Sequence, residues 1–542
     1  MLKYYLNNDF IRVSVLLLFF GIISRCVFFW FFGKEYLNFE MSSIPVLYFD
    51  AIQNHTWEFI KNYHFKPIGI VLRDVISFHL FGEIKITNFL LTSFFDILTT
   101  ILLANILFIF SVNYQVIFFS CLIFSLNLIG WEYWRMGNHF DHLNVFLFCF
   151  YIWSIIKFIY SQNFFNSLFI GISSALLILF YSLGYIIIPI ILIFLTLFFK
   201  TKIQFSGFIN IFLFPIIILF IVLTKNFLSV GVLAPSSLGG QNTLQFSAYS
   251  KPDFMGFDSN NLIKISKKVK MKEWWNWCFE QAVIFNPQNP LAAQTYGQCF
   301  IKNGNVIDFT DLKIKLNDLN EMKLLKAVEL DEKLLKTKPW YFSNSNSYNF
   351  SAMYMQESIK IWKYLLLNKT SDFLKRTHWA TYHYLRGMRF FTNTRYESNL
   401  MINNNIIKLA ALIVCPLLFL GVLSSFFNSI KLFSYPILSL FNNKKYNILI
   451  QNEKKMSIYF LSILFFLISL LLITITYGEN SRMFVSVSVI PYVLGVILFN
   501  NSLNKKSFKK KLLISFSLFL IINIFCLVLY GKFFGFIFNI FY

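Results

Sequence analysis

Residues 158–199 contain no Asp, Glu, Lys or Arg, and most of them are apolar. In water such a run would need a core that covers every side of it. In a bilayer it is long enough for two crossings back to back, because about 20 residues span the hydrocarbon layer. The turn between the crossings falls at Ser182-Leu183-Gly184. Similar runs recur along the 542 residues, which are 57% hydrophobic with a mean hydropathy of +0.60. The chain therefore reads as an all-α polytopic membrane protein, since a lone strand exposed to lipid would leave its backbone groups unpaired. The 70 Phe accompany abundant Ile, Leu, Asn and Lys, a bias that AT-rich coding produces, so no mechanism is drawn from them.

The pattern predicts about eleven spans, near 11–32, 87–110, 115–131, 141–160, 165–181, 184–199, 206–224, 404–427, 457–477, 483–500 and 511–530. Met1–Asp9 is short and polar, and the first apolar run is long with no small-residue cleavage site, so it is expected to stay as a span. With a cytoplasmic N-terminus, the loops 428–456 and 501–510 fall inside. They carry Lys431, Lys444, Lys445, Lys454 and Lys455, then Lys505, Lys506, Lys509 and Lys510, as the positive-inside rule requires. The formal charge of +22 would suggest nucleic acid for a soluble protein; here the placement of Lys sets orientation and no nucleic-acid partner is expected. Three regions follow: a transmembrane module 1–224 with a first outer loop 33–86, an extracytoplasmic domain 225–403 expected to be mostly helical, and C-terminal transmembrane helices 404–542. Five cysteines lie in apolar runs. Cys278 and Cys299 lie in the hydrophilic region, where a disulfide or two free thiols fit equally. No internal repeat is evident.

The same orientation sends the chemistry-bearing residues to the outer face. Tyr48-Phe49-Asp50 precedes Tyr63-His64-Phe65-Lys66-Pro67-Ile68-Gly69, so that a carboxylate stands before a cationic turn, with Arg73 a little further on. Such a pair suits transfer of a group from a lipid phosphate, where a base takes the acceptor proton and positive charge steadies the departing phosphate. A helix cap at Asp50 and a headgroup contact at Lys66 would explain the same residues structurally. Trp131–Arg135 leads to His139-Phe140-Asp141-His142, where one span emerges and the next begins. Asp141 could position an acceptor or, with His139 and His142, hold a divalent cation, though ordinary loop polarity explains this spacing too. Gly478-Glu479-Asn480-Ser481-Arg482 precedes Val489-Ile490-Pro491, placing an Arg at a helix mouth either to hold phosphate or to snorkel. Walker loops, dinucleotide fingerprints, zinc-type Cys clusters and Ser nucleophile elbows are absent from the sequence.

These segments resemble the GT-C superfamily of polyprenyl-phosphate-sugar-dependent glycosyltransferases, especially its protein O-mannosyltransferase and lipid A aminoarabinose transferase branch. Lys66-Pro67-Ile68-Gly69 followed by Leu80-Phe81-Gly82 looks like that family's Lys-Pro-Pro-Leu stretch and following Leu-Phe-Gly. Arg135 with Phe140-Asp141 is similar to its Arg and Asp before the fourth span, Leu168–Pro189 to its small-residue double span, and Gly478–Arg482 with Pro491 to its late Glu, Arg and Pro element. The stretch Tyr63–Pro67, and Ser236–Asn242 after the seventh span, resemble a bacterial subgroup with His before a Pro-Pro pair. The likeness covers the first two hundred residues and the last sixty, and hardly touches 245–400. Ile68 replaces the family's second Pro, and its Asp-Glu pair after the first span is missing, the nearest acids being Glu35 and Glu40.

The resemblance implies a GT-C-like fold and an inverting transfer of a sugar from a polyprenyl-phosphate donor to a hydroxyl of a glycan, lipid or protein at the extracytoplasmic face. It assigns the base to Asp50, with Glu40 as the alternative, and gives Asp141 the acceptor. Lys66, Arg135 and Arg482 would hold the lipid phosphate, with His64, Arg73, His139 and Glu479 lining the same site. The resemblance assigns no cofactor and leaves a divalent cation open. The membrane would be the bacterial inner membrane. A lipid or sugar transporter or flippase, and a non-catalytic scaffold, are the rival classes. The sequons at Asn54, Asn349 and Asn368 arise readily by chance in an Asn-rich chain.

Overall fold

An apolar chain without water must satisfy its backbone within itself, and helices do so in every described part of the bundle. The computed structural model describes residues 8–38, 53, 56–63, 67–82, 84–134, 141–181, 184–199, 205–230, 233–236, 301–302, 305–306, 363, 366–367, 370, 413–414, 416–430, 453–475 and 480–503. The elements are α1 (Asn8–Asn38), α2 (Thr56–Asn62), α3 (Ile68–Phe81), α4 (Ile84–Ile109), α5 (Tyr114–Trp134), α6 (Asp141–Tyr160), α7 (Phe164–Phe180), α8 (Gly184–Phe199) and α9 (Phe205–Val230). After them come α10 (Pro416–Ile430), α11 (Glu453–Ile475), α12 (Asn480–Val487) and α13 (Val489–Leu503). Between α9 and α10 one two-residue antiparallel ladder, Ile301–Lys302 with Asn305–Val306, is described.

Segments within α1, α4, α6, α9 and α11 are long and apolar enough to cross a membrane, and α5, α7, α10 and α13 contain shorter apolar stretches, which makes the chain a multi-pass membrane protein. The span expected at 511–530 and most of the 225–403 domain lie outside the described residues.

Side-chain pairs fix the direction of each helix. Phe10 meets Phe108 at one end of α1 and α4, and Phe28 meets Phe89 towards the other, so these helices are antiparallel. We call the Asn8 end of the bundle near and the Asn38 end far. Phe95 against Phe146 and Asn105 against Trp153 set α4 and α6 parallel. Phe148 against Tyr181 and Trp153 against Phe169 set α7 antiparallel to α6. α7 and α9 approach closely because Gly171 faces the Asn210 carbonyl, and Asn210 Nδ2 donates to Ser167 Oγ at 3.1 Å. Small residues and interhelical hydrogen bonds of this kind hold helices together where the surrounding lipid supplies no hydrophobic drive.

The C-terminal helices share the core of the N-terminal ones. Tyr492 of α13 donates its hydroxyl to the Ser120 carbonyl at 2.8 Å and sets its ring, tilted, 4.7 Å from that of Phe124, and at the near end Asn500 Oδ1 accepts from Asn113 N–H at 3.0 Å. Those contacts make α13 antiparallel to α5 and parallel to α6. α12 and α13 are separate because Pro491 has no N–H for the Val487 carbonyl and its ring crowds that carbonyl, so the ladder breaks at Ser488. α10 crosses α13 at two glycines: Gly421 lies on the Pro491 carbonyl and Gly495 on that of Leu417. The α4–α5 turn closes with Ser111 at φ 57°. Ser111 N–H bonds the Phe108 carbonyl at 2.8 Å and Val112 N–H that of Leu107 at 3.2 Å, a Schellman stop.

Candidate functional site

The described parts of the segments singled out in the sequence lie at the far end of the bundle. α3 begins at Pro67, whose missing N–H is harmless at a helix start, and stops at Gly82, which takes the left-handed φ of 70° and donates its N–H to Phe78 O. Ile68, Val71 and Val75 form its buried stripe, while Ile76 and Leu80 are exposed, as befits a short helix lying at the lipid boundary. Gly69 is required where α3 meets the end of α7: a Cβ there would stand 2.7 Å from the Leu179 carbonyl oxygen and from the Phe180 ring.

Arg73 of this helix turns onto its neighbour. Its Nε donates to Asp74 Oδ1 at 2.8 Å and Nη2 to the same oxygen at 2.5 Å, with Asp74 buried. The guanidinium charge at this position is therefore balanced inside the helix itself. His79 Nε2 lies 3.2 Å from Thr56 Oγ1 and ties α3 to α2.

Lys225, just past the expected seventh span, is a cation the sequence reading did not single out. It stands in the last turns of α9, and its Nζ donates to the Tyr63 carbonyl and, at 2.9 Å, to Asn226 Oδ1. Asn226 in turn donates Nδ2 to the Ala234 carbonyl at 2.6 Å. Its charge directly after a long apolar run was the available signal.

Asp141 is the first residue of α6 and Arg482 lies in the first turn of α12. These helices are neighbours, and α12 leads into α13, which runs parallel to α6; both N-termini therefore open towards the far end. Helix N-termini carry partial positive charge and unpaired N–H groups, which favour anions. Glu40, Asp50, His64, Lys66, Arg135, His139 and Glu479 lie outside the described residues, as do Cys278, Cys299 and the three sequons. Among the described residues no cluster of three His, Cys, Asp or Glu side chains could hold a metal ion.

A second polar centre sits midway along the helices. Arg25 of α1 donates Nη1 to Ser125 Oγ at 2.7 Å and Nη2 to the Ser125 carbonyl at 3.2 Å, and Nη2 also reaches Asp96 Oδ2 at 3.5 Å. Arg25 is 3% exposed and Asp96 0%. Thr100 Oγ1 donates to the Asp96 carbonyl at 2.8 Å. Neither residue was singled out from the sequence; opposite charges deep in two adjacent spans were the signal.

Searches against protein-family models, curated proteins and solved structures find no match for the chain.

Proposed function

We propose that the chain is an inverting glycosyltransferase of GT-C type, with about eleven spans, that moves a sugar from a polyprenyl-phosphate donor to an acceptor hydroxyl outside the cytoplasmic membrane of a bacterium. The observation that carries this reading is the shared orientation of α6 and α12, which hold Asp141 and Arg482 in their first turns at the end of the bundle where α3 meets α7 and Lys225 meets Tyr63. The sequence resemblance supports the same end as the site.

In the proposed step the acceptor oxygen bonds to the anomeric carbon from the side opposite the phosphate. The carbon–oxygen bond to phosphate breaks with its electron pair, and the acceptor proton passes to Asp50, or to Glu40 if that residue is the base. Polyprenyl phosphate leaves, held by Lys66, Arg135 and Arg482, and the anomeric configuration is inverted. Asp141 orients the acceptor; His64, Arg73, His139 and Glu479 line the pocket. The prenyl tail enters from the bilayer, and the 225–403 region selects the acceptor, a glycan, lipid or protein.

A transporter or flippase is the second reading, and Arg25–Asp96 is the observation that favours it, since transporters keep polar groups near the bilayer midplane. The two readings separate in one experiment. Purified protein in nanodiscs is given polyprenyl-phosphate sugars and a pool of acceptors, and release of polyprenyl phosphate is measured for the wild type, Asp50→Asn, Glu40→Gln and Asp141→Asn. Loss of turnover in Asp141→Asn together with Asp50→Asn or Glu40→Gln is expected. Turnover unchanged by all three substitutions would reject the chemistry, and lipid movement without transfer would favour the flippase.

A further inference from the structure

The geometry points to Lys225 as a binding site for the phosphate group of a membrane lipid in the leaflet at the far end of the bundle. The site stands on the membrane-spanning fold; only the choice of a polyprenyl phosphate as its lipid rests on the transferase reading above.

Depth is the first observation. Asn210 of α9 meets Ser167 in the first turn of α7, at the near end. From Asn210 to Lys225 the helix rises about 22 Å, which brings Lys225 to the end where α7 finishes. The apolar stretch of α9 that is long enough to cross the membrane runs from Gly207 to Leu228, so Lys225 lies inside it, one turn short of its far limit. An ionisable side chain within such a stretch is costly and marks a place where a ligand or ion is met.

Charge is the second observation. Ion pairs among the described residues join Arg12 to Asp9, Arg25 to Asp96 and Arg73 to Asp74, and Lys225 enters none of them. Its Nζ donates instead to the Tyr63 carbonyl and, at 2.9 Å, to Asn226 Oδ1, both neutral oxygens. An ammonium has three donors, so one N–H and the whole positive charge are left unmatched among the described residues. Asn226 is buried and gives Nδ2 to the Ala234 carbonyl at 2.6 Å, which turns its Oδ1 to the ammonium and holds the ammonium in place. Arg73 at the same end is the contrast, since Asp74 already meets its charge.

The surface beside Lys225 indicates what carries the anion. Val222 and Asn226 belong to the packed face of this part of α9, while Ile217, Ile221 and Leu228 are exposed. Residues three and four apart share a helix face, so Ile221 and Leu228 flank Lys225 on the side open to lipid. A free anion would have to leave water to reach this place. A lipid brings its phosphate there with its chain laid along Ile221 and Ile217, and phosphate is the anion that lipids present at the edge of the hydrocarbon layer. A lysine meets it as a point charge with a donor to spare.

The test measures lipid binding to the purified full-length protein in detergent by native mass spectrometry. The probes are dioleoyl phosphatidic acid, undecaprenyl phosphate, and dioleoylglycerol, which has the same chains as the first and no phosphate. Lys225→Met is expected to weaken the phosphate lipids by about tenfold or more, the loss that matches one hydrogen bond from a charged donor, and to leave dioleoylglycerol unchanged. Lys225→Arg should keep the binding, and Arg12→Met, at the near end, should leave all three probes unaffected. Weakening of both phosphate lipids assigns the site to lipid phosphates in general, and weakening of one alone assigns it to that lipid. Equal affinities in the wild type and a folded Lys225→Met protein would overturn the site, as would an equal weakening of dioleoylglycerol. Where Lys225→Met does not fold, Lys225→Gln makes the same comparison, because it keeps a neutral donor for the Tyr63 carbonyl and drops the charge. A wild-type protein with no transfer activity would remove the transferase reading, while the lipid affinities would still decide the site.

Discussion

Replacing one charge of the Arg25–Asp96 pair should damage the bundle far more than replacing both. The pair is separated by 3.5 Å with side chains 4% and 0% exposed. Two unit charges at that distance attract by about 5 kcal/mol at an effective dielectric constant of 20. Desolvation offsets much of this, so the pair's net contribution is small, but removing one member leaves a buried charge without its counter-charge, which costs about 3–5 kcal/mol. A lone charge at the centre of a membrane helix carries a penalty of about 2.5–3.5 kcal/mol on an insertion scale, in the same direction. Arg25→Met and Asp96→Leu should therefore each destabilise the protein by about 3 kcal/mol or more, and the double variant should return to within about 1 kcal/mol of the wild type. Ser125→Ala should cost less, about 1 kcal/mol, because the Ser125 carbonyl still accepts from Nη2. Reversible unfolding of the full-length protein in detergent micelles, analysed as a double-mutant cycle, measures these values. A double variant as unstable as the two single effects added together would show that the charges do not support each other and would refute the reasoning.

Four further substitutions probe the packing, a helix cap and a turn. Gly421→Ala and Gly495→Ala place a Cβ on the backbone of the opposite helix where α10 crosses α13, and each should cost at least about 2 kcal/mol in the same unfolding assay. Asn163 caps α7 by accepting from Asn166 N–H at 2.9 Å, so Asn163→Ala should lose about 1 kcal/mol, with faster hydrogen exchange confined to the first turn of α7. Ser111→Gly should stabilise by up to about 1 kcal/mol, because glycine takes the left-handed conformation of the α4–α5 turn without the side-chain clash that serine suffers there.

Where a segment's neighbours do not matter, its structure was readable from its residues. The run expected at 141–160 coincides with α6 and that at 165–181 with α7 to within a residue, because an apolar stretch of that length has one way to satisfy its backbone in lipid. α3 is legible in the spacing of its apolar residues, and Pro67 and Gly82 stand at its ends. The split of 483–500 into α12 and α13 could have been read from Pro491 and was not, since hydropathy averages across a break that one missing N–H decides. Arg25–Asp96 and Lys225–Tyr63 join residues 71 and 162 positions apart. Such pairs depend on how each helix is rotated about its own axis, which periodicity constrains poorly when every face is apolar, as in α1 and α9. Arg73, expected to line the site, also pairs with its neighbour Asp74, a contact that its place after Lys66 did not foretell.

The two polar centres bear differently on the choice between transfer and transport. A solute pathway must exchange its internal contacts for water or solute during each cycle, whereas Arg25 already gives both terminal nitrogens to Ser125 and Asp96 inside a fully covered space. α1, whose span turns many large apolar side chains outward, needs a directional contact to fix its height against α4 and α5, and a guanidinium held by a carboxylate and a backbone carbonyl supplies one. As a staple, the pair should be replaceable by Met and Leu together without loss of transfer, because what it contributes is register. As part of a conduction path, the same double variant would be stable and inactive. Activity and stability measured on that one protein therefore separate the readings, and they do so through residues distant from Asp141 and Arg482.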